Sequence, residues 1–412
     1  MALFGAPVFI VLSAFGMIGF WVSDIPQAAI IVDLYNQFAN NPLLYTIPLF
    51  TCAGYILAES KTSFRIFRLT KSILGLLPGG LAIVALIACA FFTAFTGASG
   101  VTIIALGGIL FPALREGKYP ETFCLGLLTT SGSLGLLFAP SLPVIMYGVI
   151  AETSIINLFI AGFIPGILLI GLLSIYSIYT AHRVKVIKKP FQIPEIMAAL
   201  NDAKWELAIP FMVIIGLFFG FATLGEIAAI TVGYALFIEI YIYKDVQLKQ
   251  VPEIIRQSMS LVGGILIIMG SAYGLTNYMI DAEIPLVILD VMEEYITSKF
   301  VFLIALNIFL LIVGCILDIY SAILVVVPLI LPIAASYQIN PIHLGIIFLT
   351  NLEIGYMTPP VGMNLFISSF RFNRPILTLY IASIPFILIL FIGLMLITYI
   401  PQLSLGLVDY FG

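Results

Sequence analysis

Two short stretches of this 412-residue sequence crowd hydroxyl and amide oxygens against prolines. The first reads Thr129-Thr130-Ser131-Gly132-Ser133 and then Ala139-Pro140-Ser141-Leu142-Pro143. The second reads Thr350-Asn351-Leu352-Glu353-Ile354-Gly355 and then Thr358-Pro359-Pro360-Val361-Gly362, with Asn364 just beyond. Proline has no amide hydrogen and its ring clashes with the preceding turn, so a helix carrying such a segment opens there. Both stretches lie inside apolar runs, where opened backbone is tolerated only if it is buried in protein or lines a cavity. Freed carbonyls, joined by the side-chain oxygens of Thr130, Ser131, Thr350, Asn351 and Thr358, make a hard oxygen shell suited to a small cation. The half-helix N-termini present free N–H groups and partial positive charge to an anion. One such break alone reads equally well as a structural kink.

Two acids fall at membrane depth, Asp318 and Glu353. A carboxylate is costly there, so each is a functional candidate. Three roles are open to each: cation ligand, proton carrier, or hydrogen-bonded structural acid. Glu226 and Glu239 lie nearer span ends and can reach the interface, so they receive no role. His343, at the mouth of a span, is expected to be structural. Cys52, Cys89, Cys124 and Cys315 sit in apolar stretches without CxxC or metal spacing and read as buried small hydrophobes. No Walker motif, HExxH or Ser-His-Asp pattern is visible, which argues against ATP hydrolysis by this chain. A membrane-embedded enzyme would need a catalytic dyad or metal set at membrane depth, and the sequence offers none. No organic cofactor is expected.

The elements that must position these residues follow from composition. Of the residues, 62% are hydrophobic and 9% charged. A soluble domain carries roughly 25% charged residues, so lipid must be the solvent for much of this surface. Residues 3–21 are apolar but have no preceding base and no following cleavage site, so they read as a first membrane helix rather than a leader. Through-going helices are expected at about 3–22, 43–58, 122–150, 157–181, 206–223, 225–243, 258–280, 342–370 and 376–399, with an interfacial segment at 23–42. Two apolar blocks, 79–112 and 300–335, are too long for one span of about 20 residues. Each has a small or polar middle, Thr96-Gly97-Ala98-Ser99-Gly100 and Asp318-Ile319-Tyr320-Ser321. Both are expected to be re-entrant helical hairpins. With the N-terminus cytoplasmic and neither hairpin counted as a crossing, 16 of the 17 basic residues fall in cytoplasmic connections; Lys299 alone does not. Basic residues are retained on that side during insertion. The same count leaves the C-terminus periplasmic.

A shift of 220 residues then superimposes the halves without gaps: Gly54 on Gly274, Pro112 on Pro332, Thr130 on Thr350, Gly135 on Gly355, Pro140 on Pro360 and Pro165 on Pro385. Residues 59–78 carry four bases, whereas 281–299 carry five acids, so the halves are inverted. Inverted repeats are common in secondary transporters. The expected fold class is an all-α polytopic membrane protein with inverted repeats, two re-entrant hairpins and two broken helices. Its first repeat is 1–181, with an arm at 59–78, a hairpin at 79–112 and a broken helix at 122–150. A cytoplasmic connector follows at 182–205. The second repeat is 206–412, with an arm at 281–299, a hairpin at 300–335 and a broken helix at 342–370. Each tip should meet a break near mid-membrane, forming two clamps. Candidate cation ligands are Gly97, Ser99, Thr130, Ser131 and Gly132 in the first half, and Asp318, Thr350, Asn351, Gly355, Thr358 and Gly362 in the second. Candidate substrate contacts are Ser99, Ser133, Pro140 and Ser141, with Tyr320, Ser321, Glu353, Pro360 and Asn364.

At these residues the sequence resembles the large membrane (M) subunit of tripartite ATP-independent periplasmic (TRAP) transporters. The resemblance rests on Leu77-Pro-Gly-Gly-Leu-Ala82, Gly97-Ala-Ser-Gly100, Ala139-Pro-Ser-Leu-Pro-Val-Ile-Met-Tyr-Gly148 and Leu158-Phe-Ile-Ala-Gly-Phe-Ile-Pro-Gly166. In the second half it rests on Asp318, Pro328-Leu-Ile-Leu-Pro332 and Asn351-Leu-Glu-Ile-Gly-Tyr-Met-Thr-Pro-Pro-Val-Gly-Met-Asn-Leu-Phe366. It implies an elevator mechanism and coupling to two or more sodium ions (Na+). It also implies a small four-helix membrane (Q) subunit, a periplasmic substrate-binding (P) protein and a location in the bacterial inner membrane. The chain begins with the large subunit's first helix, so the Q subunit is expected as a separate chain. The implied substrate is a small organic anion, a carboxylate such as a dicarboxylate or sialic acid. The competing expectation is a stand-alone divalent-anion/sodium symporter that uses similar hairpins and no delivery protein.

Overall fold

A computed structural model describes residues 8–23, 43–74, 79–184, 193–296 and 298–411, with scattered positions between 26 and 39. The described secondary structure is helical throughout. The first half comprises α1 (Val8–Val22), α2 (Thr46–Glu59), α3 (Thr62–Leu74), α4 (Gly80–Thr96), α5 (Ser99–Glu116), α6 (Glu121–Ser131), α7 (Leu142–Ile150) and α8 (Ile155–Val184). The second comprises α9 (Ile193–Phe218), α10 (Leu224–Phe237), α11 (Val251–Asp281), α12 (Ile284–Tyr295), α13 (Lys299–Ile316), α14 (Ile319–Ser336), α15 (Pro341–Gly355), α16 (Met363–Phe372) and α17 (Ile376–Tyr399). Two single turns, α18 (Gln402–Leu405) and α19 (Val408–Phe411), end the chain. Among the described residues seven helices are long and apolar enough to cross a membrane: α5, α8, α10 with its continuation to Ile242, α11, α13, α14 and α17. The count is eight if α6 and α7, bent by 46° across their break, form one span. This is a multi-pass membrane protein. Most of the interfacial segment expected at 23–42 lies outside the described residues.

The repeat is visible in where helices begin. Helices α12, α13, α14, α15, α16 and α17 start 219 to 222 residues after α3, α4, α5, α6, α7 and α8. Packing sorts the helices into two groups. Helix α11 packs on α1 and α2, α10 on α2 and α9, and α9 on α3. In the other group the halves interleave: α6 packs on α17, α5 on α16, α7 on α14 and α13 on α15. The seams between the groups are α3 and α2 against α4, and α11 against α14.

One boundary differs from expectation. Helix α9 begins at Ile193, inside the segment expected to be a connector, and runs without interruption into the span expected from 206. The reason is its contact with the arm helix α3. Ala199 and Ala203 pack with Ile66, Leu69 and Ala88 in a small core. Asp202 pairs with Arg68. Glu206, Glu239 and Asp245 converge on the Arg65 guanidinium, with Glu239 at 3.2 Å and Asp245 at 2.5 Å. Burial opposes ionisation of Asp245, but the Arg65 hydrogen bond and charge outweigh it and hold its carboxyl below the usual range. A π turn at Ile238–Ile242 carries Glu239 to this cluster, so an acid given no role from sequence is one of the arm's anchors. The cluster gathers the 59–68, 202–206 and 245 segments at one end of the bundle. The charge count had placed those segments on one side of the membrane.

Candidate functional site

The hairpin tips are built by different means. At the first, Gly97 takes a left-handed conformation (φ 64°) and its N–H closes α4 on the Thr93 carbonyl. Glycine adopts that backbone without a Cβ penalty. Helix α5 then begins at Ser99 with no side chain capping it. At the second tip the Asp318 carboxylate caps α14, accepting from the N–H groups of Tyr320 and Ser321 at 3.0 Å each and from the Ser321 hydroxyl. Such a cap satisfies donors the first turn leaves open. The tips touch: the Tyr320 hydroxyl donates to the Gly97 carbonyl at 2.9 Å. Together they line a cavity of about 530 Å³, closed by Tyr55 on α2, by Leu261 and Ile265 on α11, and by Tyr356 and Met363.

Each break lies under the tip of its own half. Thr93 donates to the Gly132 carbonyl at 2.8 Å, and a Cβ on Gly97 would stand 2.7 Å from the Leu142 side chain. In the second half the Ile319 N–H donates to the Tyr356 hydroxyl at 2.5 Å, and the Gly362 N–H to the Cys315 carbonyl at 3.2 Å. A Cβ on Gly355 would lie 2.6 Å from the Gly314 backbone, so helix and hairpin touch there main chain to main chain. Bonds also cross between halves. Ser99 donates to Asn364 Oδ1 at 2.7 Å, Asn364 Nδ2 donates to the Thr129 carbonyl at 3.3 Å, and Thr129 donates to Ser368 at 2.9 Å. The prolines Pro140 and Pro360 both follow cis peptide bonds.

Among the described residues eight buried side-chain oxygens have no hydrogen-bond partner, and five of them belong to the two breaks: Thr130 Oγ1, Ser141 Oγ, Asn351 Oδ1 and both oxygens of Glu353. Leaving such a group unpaired costs about 1–3 kcal/mol. By contrast Thr350 and Thr358 donate back to the carbonyls of Ile346 and Ile354, and Ser131 and Ser133 lie near those of Leu128 and Thr130. Pro360 lies on the exposed rim of the second break, where its carbonyl accepts from Tyr380. No group of three or more His, Cys, Asp or Glu able to hold a metal occurs among the described residues.

A family model, the tripartite ATP-independent periplasmic transporter DctM component, matches residues 1–403. The chain belongs to this family. Its curated relatives include the C4-dicarboxylate TRAP transporter large permease protein DctM of Pseudomonas aeruginosa, 34% identical over 92% of this chain and 89% of that protein. The sialic acid TRAP transporter large permease protein SiaM of Vibrio cholerae is 31% identical over 90% and 87%. The isethionate TRAP transporter permease protein DctMQ of Oleidesulfovibrio alaskensis is 32% identical over 91% of this chain but 60% of that protein. In fold the chain is similar to the crystal structure of the Alcanivorax borkumensis YdaH transporter, with a TM-score of 0.61 at 14% identity over 92% of this chain and 89% of that one. These relatives are transporter permeases, not enzymes. This DctM-family chain therefore sets its unpaired oxygens in a transport protein.

Several residues of the site were not singled out from sequence. Thr93, Thr129 and Ser368 join the breaks to neighbouring helices, and Tyr356 holds the second tip. Asn307 accepts from Asn351 Nδ2 at 2.6 Å. It is an amide in the middle of the apolar helix α13, and that isolation is a signal a reader of the sequence could use. His343 is buried, bonded to Ser404 at 2.7 Å and to the Thr398 carbonyl at 3.3 Å. The four cysteines are buried and free.

Proposed function

We propose that this chain is the transport subunit for sodium-coupled secondary active uptake of a small organic anion across the bacterial inner membrane. The N-terminus is cytoplasmic and the C-terminus periplasmic. The carrying observation is the set of buried oxygens left without partners at both breaks. They are neutral or carboxylate oxygens rather than nitrogen or sulfur, the donor set of a hard alkali cation. Thr130 with the opened carbonyls around Gly132 would hold one ion, and Asn351 with those around Gly355 and Thr358 another. Bound sodium supplies positive charge beside the anion and a gradient that drives its entry. The anion belongs in the cavity between the tips. Asp318 already occupies the N-terminus of α14, whereas the N-terminus of α5 is uncapped and lines that cavity at Ser99, Gly100 and Val101. Its N–H groups and partial charge favour a carboxylate there.

The relatives' substrates, C4-dicarboxylates, sialic acid and isethionate, make an organic acid the substrate class. The TRAP family makes a small Q subunit and a periplasmic P protein the partners, with Q joined to M or separate. The two packing groups suit an elevator: α4–α8 and α13–α17 move as a body against α1–α3 and α9–α11. The test is reconstitution of the purified complex in liposomes under an imposed sodium gradient. Uptake of a labelled dicarboxylate or sialic acid should need both sodium and the binding protein. Uptake in potassium medium driven equally well by a proton gradient would sink sodium coupling. Uptake without any binding protein would favour the stand-alone symporter.

A further inference from the structure

We propose that Asn307 on hairpin helix α13 is a positioning residue for the cation site at the second break, turning the Asn351 amide so that its oxygen faces the ion. This rests on the sodium reading above. The orientation of Asn351 follows from its partners. Its Nδ2 lies 2.8 Å from the Ile347 carbonyl, which can only accept, and 2.6 Å from Asn307 Oδ1. Both amide hydrogens are thereby used, and Oδ1 is left buried with no partner. Asn307 is held in turn. Its Nδ2 lies 3.2 Å from the Thr398 hydroxyl on α17, which keeps its own oxygen toward Asn351. The Thr398 carbonyl is engaged by His343. Asn307, Thr398 and Asn351 are 2%, 1% and 0% exposed, so no solvent competes for these bonds.

Two elements of separate origin are joined here. Asn307 rides on the hairpin and Asn351 on the broken helix, so the amide is fixed only while the two are packed together. The position equivalent to Asn307 in the first half, 220 residues earlier, is Ile87. The second break therefore has an orienting partner that the first lacks. Without the Asn307 oxygen, Asn351 keeps one of its two hydrogen bonds and its amide is freer to turn away from the ion.

The test is sodium-dependent thermal stabilisation of the purified complex, with potassium replacing sodium at constant ionic strength. Asn307→Ala should raise the sodium concentration at half-maximal stabilisation about tenfold, the scale of one buried hydrogen bond. Thr398→Val should raise it by a smaller factor, and it serves where Asn307→Ala does not fold. In an Asn351→Ala background the Asn307→Ala change should shift that concentration by less than about twofold, because it acts through Asn351. A lower melting temperature in potassium with an unmoved sodium midpoint marks a structural role and overturns the proposal. So does full additivity of the two alanine variants. If the wild-type complex gains no more stability from sodium than from potassium, the sodium reading itself fails.

Discussion

The two halves of this molecule share a framework and differ in the chemistry placed on it. The first tip turns on a left-handed glycine, whereas the second turns on the Asp318 cap. The first break is buried along nearly its whole length, and its oxygens are hydroxyls. The second carries an amide and a carboxylate at its buried end and leaves Pro359, Pro360 and Val361 exposed. The arms differ as well: α3 is basic and tied to the bundle by Arg65, while the segment containing α12 is acidic. Duplication accounts for the shared geometry. The differences show where each half was free to specialise, and each gives a comparison that experiment can break.

The largest effect is expected at the first arm. Arg65 is 11% exposed and faces three carboxylates. Removing it leaves buried negative charge unbalanced, so Arg65→Leu should lower stability by about 3 kcal/mol. The check is the melting temperature of the purified complex. A change no larger than that of a surface arginine such as Arg256 would mean that apolar packing alone holds the arm.

The tips come next. Gly97→Ala forces a Cβ into left-handed backbone, at a cost of roughly 1–2 kcal/mol, and presses it on Leu142. Asp318→Ala removes a cap worth about 1 kcal/mol, whereas Asp318→Asn keeps an accepting oxygen and should cost less. Chemical denaturation of the three variants gives the order. If Asp318→Asn folds normally but abolishes uptake, the carboxylate has a role in transport beyond capping.

The breaks should differ in sodium dependence. Asn351→Ala removes an unpaired amide oxygen and should raise the sodium needed for half-maximal uptake about tenfold, the scale of one hydrogen bond. Thr130→Val removes a hydroxyl from a shell otherwise made of carbonyls, so a rise of about threefold is expected. Equal shifts in both variants would show that the chemical difference between the halves does not reach the ions.

Much of this was legible in the sequence because it was written in residues that act locally. Proline runs mark both breaks, block length and polar middles mark the hairpins, and basic residues sort the connections. What escaped depends on distant partners. The first half of α9 lacks a hydropathy run, since its polar face is matched to the arm's arginines, and it read as a connector. Glu239 looked like an interfacial acid because its cation lies 174 residues away. The Ser99–Asn364 bond spans 265 residues between halves, and no spacing rule reaches it. The unpaired oxygens are visible only after every other donor has been assigned.

The smallest effect concerns the two arms as surfaces. The basic arm is turned inward to Glu206, Glu239, Asp245 and Asp202, so much of its charge is spent within the bundle. The acidic segment places Asp281 and Glu283 at exposed positions, and under the proposed topology it faces the periplasm with Lys299 as the only base on that side. A delivery protein docking there would present lysines or arginines. Complementary charge acts mainly on encounter rate, and salt screens it over about 8 Å at physiological ionic strength. Neutralising Asp281, Glu283 and Asp290 should therefore slow binding-protein-dependent uptake about twofold to fivefold at low ionic strength, and by much less at high. Sodium binding to the isolated membrane complex should not move. Uptake indifferent to these changes at every salt concentration would place docking elsewhere. The acids would then serve only to hold the second arm outside the membrane.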